Sequence, residues 1–261
     1  PDWKESVTKS LGNDSIAGTA IMSSEISDDT LMELVEKHFN AVTLGNELKP
    51  DALFNYQLDS SIKTKKINFN DSELEVPVVN DAGDSLDFSR ADAMVDKILE
   101  WNNAHPDQKI RIRGHVLVWH SQTQEWFFHE NYDITQPYVN KETMNRRLEW
   151  FISSVFDHYF GKAANGKYDG LFYGWDVVNE AVNDDGKMRT SSNWYKVYGD
   201  AGYVTDAFTF ARKYADKDVK LFLNDYNEYA AAKRDRIYQV VKDLYDKGLC
   251  DGVGMQSHYS M

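Results

Sequence analysis

The stretch GLFYGWDVVNE, residues 170–180, combines an apolar, strand-like run with an amide and a carboxylic acid at its end. A bounded apolar run of this length is typical of a strand that is buried in a parallel sheet. Asn179 and Glu180 close the run, and the carboxyl ends of the strands are where parallel barrels build their sites. The stretch therefore predicts a buried strand that delivers two polar side chains to one edge of a sheet.

Five further segments have a similar strand pattern, and most of them end in polar or ionisable residues: 16–22, 41–47, 109–120, 219–227 and 252–260. Amphipathic segments that predict helices lie between them, at 28–39, 90–103, 141–160, 204–214 and 233–247. We expect Ser89 to cap the second of these helices and Gly248 to end the last. Strands that alternate with helices predict an α/β fold with a parallel sheet.

The pattern predicts a (β/α)8 TIM barrel, of which this chain supplies about six strands. At 261 residues, the chain fits one such domain of about 250 residues. The segment 60–87 is longer than a βα loop and alternates around residues 67–69 and 74–78, which predicts a hairpin insertion on the active-site face. Because the insertion uses residues that a barrel spends on later units, we expect strands seven and eight to lie beyond Met261.

The net charge of −13 argues against nucleic acid and against an anionic membrane as partners. It fits a neutral substrate, and the 15 Tyr, 13 Phe and 7 Trp provide flat faces for a core or a groove. The single cysteine, Cys250, excludes a disulfide framework, and no apolar run is long enough to span a membrane. The chain opens at Pro1 without a signal peptide, so we expect a processed or excised piece.

Alternation along the strands divides the side chains between two faces. In residues 109–120, we expect Arg111, Arg113, His115, Leu117 and Trp119 to face one way and the isoleucines and valines to pack under helices. The other predicted strands place Phe222, Asn224 and Tyr226 on one face, and Gly254, Gln256 and His258 on another. Polar groups that converge at one mouth indicate mutual hydrogen bonds or a ligand. If Asn179 and Glu180 both serve that ligand, the strand must break its pleat there.

Metal and cofactor sites are not indicated. The seven histidines include no HExxH motif, and the DDG run at 184–186 lacks the register of a calcium loop. The chain has no glycine-rich phosphate loop. Glu180 instead suits general-acid chemistry on a glycosidic bond, which needs a second carboxylate ~5–5.5 Å away for retention or ~6.5–9.5 Å away for inversion. No equally good second candidate appears before Met261.

Four motifs in order give the chain a specific resemblance: RGH with VWHSQ at 113–115 and 118–122, WDVVNE at 175–180, LNDYN at 223–227 and GMQSH at 254–258. From about Ser15 to Met261 the sequence resembles glycoside hydrolase family 10, the endo-β-1,4-xylanases. The resemblance implies one secreted, extracellular catalytic domain over residues 1–261, incomplete at its C-terminus, that hydrolyses xylan and xylo-oligosaccharides.

The resemblance also implies roles for individual residues in a retaining double displacement. Glu180 would be the general acid and then the general base, and Asn179 would hold the 2-hydroxyl of the sugar being cleaved. The glycone side would be lined by Asn46, Lys49, His115, Trp119 and Gln122. Tyr226 would lie near the aglycone side, while Gln256 and His258 would surround the nucleophile.

This chain departs from the family at two places. Gly45 stands where the family has a glutamate, so the side chain that contacts the distal glycone sugar is missing. The nucleophilic glutamate, which the family carries in a TELD context on the seventh strand, is absent, so we expect a C-terminal segment or second chain to complete the barrel. The alternatives are a xylan-binding module without activity, or an endoglucanase of similar architecture.

Overall fold

Six parallel strands form one sheet in the computed structural model, which describes residues 2–12 and 15–258. In chain order, the strands are β1 Gly18–Ile21, β2 Ala41–Leu44, β3 Thr64–Phe69, β4 Ser72–Pro77, β5 Arg111–Trp119, β6 Phe172–Asn179, β7 Lys220–Asp225 and β8 Gly252–Met255. The sheet has the order β1-β2-β5-β6-β7-β8, and all five of its pairings are parallel. The sheet curls into a half-barrel, which confirms a partial (β/α)8 barrel as the fold class.

Helices follow the strands along the chain. Their bounds are α1 Trp3–Leu11, α2 Asp29–His38, α3 Pro50–Leu53, α4 Ser89–Ala104, α5 Lys141–Phe160, α6 Asn193–Tyr198, α7 Gly202–Tyr214 and α8 Ala231–Asp246, with short 3₁₀ helices at Glu125–Phe128, Glu130–Tyr132 and Lys162–Ala164. All five predicted helical segments are helical, and α8 is followed by Gly248 at a φ of 71°. The expected cap at Ser89 is wrong: α4 begins at Ser89, whose backbone N–H donates to the Asp87 carboxylate.

The predicted insertion contains the antiparallel hairpin of β3 and β4. Its two-residue turn places Asn70 and Asp71 at φ values of 50° and 62°, the left-handed region that tight hairpins require and that Asn and Asp tolerate. The guanidinium of Arg146 in α5 donates to the Glu73 carbonyl at 2.9 Å and to the Ser72 hydroxyl at 2.7 Å. The hairpin leaves the carboxyl end of β2 and packs against α5, and its described residues do not line the concave face of the sheet.

The core lies between the sheet and its helices. Trp175 of β6 is fully buried and packs edge-on against Phe156 of α5, with ring centroids 5.1 Å apart. Gly114 on β5 leaves room for that indole, because a Cβ there would clash with the Trp175 ring. Leu117, which we expected to face inward, belongs to this core. The pairing of β5 with β6 shifts register between His115 and Val118, so the simple alternation does not hold there.

Neither a membrane-spanning helix nor a metal cluster is found among the described residues. None of the described helices is both long and apolar enough to cross a membrane. No group of three or more His, Cys, Asp or Glu in the described ranges could hold a metal ion.

Candidate active site

The concave face of the half-barrel encloses a cleft of about 830 Å³. Side chains from the carboxyl ends of the strands line it, including His115, Trp119, Asn179, Glu180, Gln256 and His258, six of the predicted site residues. Glu180 is the only acid among the described residues that line this cleft. A second depression of about 850 Å³ between α1, α2 and the loop after α4 contains none of the predicted site residues. The cleft is therefore the candidate active site.

Glu180 is held at both carboxylate oxygens. The indole Nε1 of Trp119 donates to Oε2 at 2.9 Å, and the amide Nε2 of Gln256 donates to Oε1 at 3.0 Å. The Glu180 backbone has a φ of 58°, and its N–H donates to the Asn224 carbonyl at 2.8 Å. This left-handed residue ends β6, which is why the adjacent Asn179 and Glu180 side chains both line the cleft. The pleat is broken at the place that the sequence indicated.

Asn179 is oriented by two amide donors. Its Oδ1 accepts from Asn224 Nδ2 at 2.8 Å and from Gln256 Nε2 at 3.1 Å, and the residue is 3% exposed. Because both donors occupy the oxygen, the Asn179 NH2 group is the end of the side chain that could donate to a ligand. Gln256 thus links Asn179 with Glu180.

Beneath the lining of the cleft, buried Asp176 holds two side chains that do line it, Arg113 and His115. Arg113 Nε donates to Asp176 Oδ1 at 3.0 Å, and His115 Nδ1 donates to Asp176 Oδ2 at 2.9 Å. The guanidinium of Arg113 also lies over the Phe222 ring, 4.8 Å from its centroid. Because Asp176 holds Nδ1–H of His115, the other ring nitrogen of His115 is available to a ligand.

Three predicted glycone residues form a network beside the cleft. Lys49 Nζ donates to Asn46 Oδ1 and to Gln122 Oε1, both at 2.9 Å, and lies 5.2 Å from the Trp119 ring centroid. Gln122 Nε2 donates to Asp51 at 3.1 Å. Burial lowers the pKa of Lys49 from its ordinary value. The network links the loop after β2 with the loop after β5.

Tyr226 is not among the residues that line the cleft, and the described contacts of its side chain are with two cations. Arg189 Nη2 donates to the Tyr226 hydroxyl at 3.2 Å, while Arg189 Nε donates to the Glu180 carbonyl at 2.8 Å. Lys233 Nζ lies 3.4 Å from the centroid of the Tyr226 ring and pairs with Asp225 at 3.0 Å. From the sequence alone we did not predict that Arg189, Lys233 and Asp225 would surround the site.

His120 completes the surroundings of the candidate acid, with Nδ1 3.8 Å from Glu180 Oε2. Burial lowers the pKa of His120 below its ordinary 6.5; the positive charges of Arg189 and Lys233 act in the same direction, and the Glu180 carboxylate opposes them without reversing the shift. His120 is therefore held in its neutral form to a lower pH than a free histidine.

Comparison with known sequences finds relatives that are named xylanases. A putative endo-1,4-beta-xylanase of Caldicellulosiruptor saccharolyticus is 51% identical over 148 residues, which cover 56% of this chain and 46% of that protein. Endo-1,4-beta-xylanase A of Thermotoga maritima is 40% identical over 94% of this chain and 19% of its own length. The chain thus spans less than half the length of either relative.

The fold also matches solved structures. An intracellular xylanase from Thermoanaerobacterium saccharolyticum, solved as a mutant with xylotetraose, superposes with a TM-score of 0.75 at 30% identity, covering 99% of this chain and 67% of that one. The model of glycosyl hydrolase family 10 matches residues 6–261. With this match spanning nearly every residue and a carboxylic acid held at the end of β6, the chain belongs to glycosyl hydrolase family 10.

Proposed function

We propose that this chain supplies the acid/base half of an endo-β-1,4-xylanase that hydrolyses xylan with retention of anomeric configuration. The observation that carries the proposal is the placement of Glu180, the one acid that lines the cleft among the described residues, with both oxygens held by neutral donors. A proton donor fixed in this way is what departure of a glycosidic oxygen requires. Glu180 would act first as acid and then as base.

The neighbouring side chains suit a bound sugar. We propose that the Asn179 NH2 group holds the 2-hydroxyl of the sugar being cleaved, since its oxygen already accepts two hydrogen bonds. His115 and Trp119, with the network of Asn46, Lys49 and Gln122, would bind the glycone side. Tyr226 would lie toward the aglycone, and Gln256 and His258 would face the nucleophile.

Retention requires a second carboxylate ~5–5.5 Å from Glu180. Two other buried glutamates are occupied elsewhere: Glu47 accepts from the Asn46 backbone N–H at 3.1 Å, and Glu228 accepts from the Ser257 backbone N–H at 3.1 Å. Neither lines the cleft. We propose that the nucleophile comes from a segment outside residues 1–261, joined covalently or supplied as a second chain, that completes the barrel.

The substrate class is supported by the names of the relatives and by the structural neighbour with xylotetraose. Because this chain covers only part of those proteins, hydrolysis of xylan is proposed for the full-length protein. Extracellular location is part of the same proposal. The competing functions are a xylan-binding module without activity and an endoglucanase.

The experiment compares wild type with Glu180→Ala in the full-length protein. Turnover of unactivated xylan should fall by roughly 10²–10⁴, the range for a positioned proton donor. An aryl xylobioside with a good leaving group should lose far less in the glycosylation step, because that leaving group needs no proton. Glu100→Ala, which changes an exposed glutamate of α4, is the matched control.

Each alternative has its own outcome. Equal loss on both substrates in the glycosylation step would remove Glu180 from the acid/base role. Binding of xylan without any hydrolysis by wild type would support the binding module, and faster turnover of cellulose than of xylan would support the endoglucanase. Inversion of the anomeric configuration, observed by NMR, would contradict the retaining mechanism.

A further inference from the structure

A buried ammonium group lies behind the segment that carries Glu180. Lys233, near the start of α8, is 0% exposed. Its Nζ is 3.0 Å from Asp225 Oδ1, 3.1 Å from Asp184 Oδ1 and 3.4 Å from the Tyr226 ring centroid. Burying an ammonium group is costly unless it is paired and hydrogen-bonded. The three partners of Lys233 come from the loop after β6 and from the end of β7, so its charge connects these two segments.

Asp225 extends this connection to the backbone. It is 1% exposed; its Oδ1 accepts from the Tyr226 N–H at 2.9 Å, and its Oδ2 accepts from the Val182 N–H at 3.2 Å. Both bonds require acceptor oxygens that an ionised carboxylate provides. Burial raises the pKa of Asp225, and Lys233 opposes this rise. The ammonium of Lys233 therefore keeps Asp225 able to hold both strand ends.

Val182 is two residues beyond Glu180, whose left-handed backbone must be fixed by its surroundings. The Glu180 N–H is held by Asn224, and its carbonyl accepts from Arg189 Nε at 2.8 Å. Beyond Glu180, the Ala181 carbonyl accepts from the Arg189 backbone N–H at 2.8 Å, and the Val182 N–H donates to Asp225 at 3.2 Å. Without the bond to Asp225, the segment that sets the direction of the Glu180 side chain would lose an anchor on its C-terminal side.

We infer that Lys233 is a positioning residue for the acid/base step. It acts through Asp225 and Tyr226, keeping Glu180 aimed at the leaving oxygen and Tyr226 fixed beside it, without touching the substrate. This inference rests on the proposed role of Glu180 and adds a residue from outside the cleft. The charged and titratable groups that face Lys233 or its partners are Asp184, Asp225, Tyr226, Arg189 and His120.

A purely structural role makes a different prediction from a positioning role. If the Lys233–Asp225 pair served only stability, its removal would lower activity on all substrates in proportion to the folded fraction. Removal of a positioning residue has its largest effect on the rate of the reaction that needs a well-aimed proton. Substrates that differ in their need for that proton therefore separate the two roles.

The test uses the full-length protein, with Lys233→Met and with Lys233→Met/Asp225→Asn. In the single variant, kcat on xylan should fall by about 10- to 10²-fold, the cost of misplacing a catalytic group, while glycosylation by an aryl xylobioside with a good leaving group should fall by less than about threefold. The double variant removes both buried charges, so its melting temperature should recover. Its loss on xylan should remain, because the amide oxygen of Asn cannot replace two carboxylate oxygens.

Lys242→Met is the matched control, since it removes an ammonium from an exposed ion pair with Asp246 on the same helix. This variant should hydrolyse both substrates at wild-type rates.

Equal losses on xylan and on the aryl xylobioside, or recovery of xylan activity in the double variant, would overturn the positioning role while leaving the proposed function intact. If Lys233→Met does not fold, the double variant decides alone. A wild-type protein that does not hydrolyse xylan would instead remove the proposed function, and this inference with it.

Discussion

The indole nitrogen of Trp119 donates a 2.9 Å hydrogen bond to Oε2 of Glu180, from the end of β5 to the residue that follows β6. Trp119 also lines the cleft, and an aromatic ring of this kind can stack on a sugar ring. In the proposed function, Trp119 would therefore both contact the substrate and hold the carboxyl group of the acid.

Trp119→Phe should lower kcat on unactivated xylan. The variant keeps an aromatic face but loses the hydrogen bond to Glu180, and hydrogen bonds to charged groups contribute about 1.5–3 kcal/mol, equivalent to roughly 10- to 10²-fold in rate. Steady-state kinetics of the full-length protein on xylan measure the effect. Trp101→Phe is the control, because the buried Trp101 Nε1 has no hydrogen-bond partner in the described structure. Equal kinetics of Trp119→Phe and wild type would contradict the role of the indole bond.

The six strands of the sheet could be predicted because each predicted segment contains a short apolar run, most of them followed by polar residues. The hairpin could be predicted because its sequence alternates. Helix α1 was not predicted: Trp3, Val7 and Leu11 recur at helical spacing, but the helix is only nine residues long and none of its residues is buried. Helix α6 has six residues, too few to show a helical period. The predicted strand at 252–260 is shorter in the structure: β8 ends at Met255, and residues 259–260 lie outside the described residues.

Site residues at the ends of strands could be predicted from the sequence, whereas site residues whose position depends on contacts between loops could not. Trp119, Asn179 and Glu180 sit at strand ends, so alternation and motif were sufficient to place them in one cleft. Lys233 begins an amphipathic segment, a position where lysine is usually exposed. Its burial depends on how the loop after β6 folds over α8, which no local pattern in the sequence encodes. Arg189 lies in that same loop and had no signal of its own.

Gly45→Glu should have its full effect only when Met22 is also changed. The backbone at Gly45 is not in the left-handed region, so a side chain causes no strain there, but a Cβ would clash with the Met22 sulfur. Met22 is 38% exposed and can be shortened. We expect Gly45→Glu/Met22→Ala to raise kcat/KM on short xylo-oligosaccharides, by at most the ~1.5–3 kcal/mol of a hydrogen bond to a charged group.

Two single variants complete this double-mutant cycle. Met22→Ala alone should leave kcat/KM on the same oligosaccharides close to wild type, and Gly45→Glu alone should gain less than the double variant. If the double variant gains nothing, the carboxylate at position 45 does not reach a sugar, and the loop after β2 follows a different path from the one that the resemblance implies.

His120 should make the folded protein less stable as the pH falls. Burial and the nearby Arg189 lower its folded pKa below 6.5, so the unfolded chain binds more protons between those two values. The free energy of unfolding therefore decreases as the pH drops below 6.5. His120→Asn should reduce the loss of melting temperature between about pH 7 and about pH 5. NMR titration of the His120 ring measures the pKa directly, and a value at or above 6.5 would show that burial and Arg189 do not disfavour the charged ring.

The last prediction is that residues 1–261 alone do not hydrolyse xylan. β1 and β8 are the two ends of the sheet order, each with one described strand neighbour, and open edges of this kind favour association with other chains. The described cleft also offers Glu180 no second carboxylate for a double displacement.

We expect the isolated piece to be poorly soluble and inactive. The addition of a downstream segment, fused or as a second chain, should restore hydrolysis, and NMR of the products should show retention of the anomeric configuration. Glu180→Ala in the restored protein is the control, since it should lower the restored turnover of xylan by roughly 10²–10⁴. Robust hydrolysis by purified residues 1–261 would show that a carboxylate within this chain serves as the nucleophile, and Glu47 and Glu228 would then be the first two to replace.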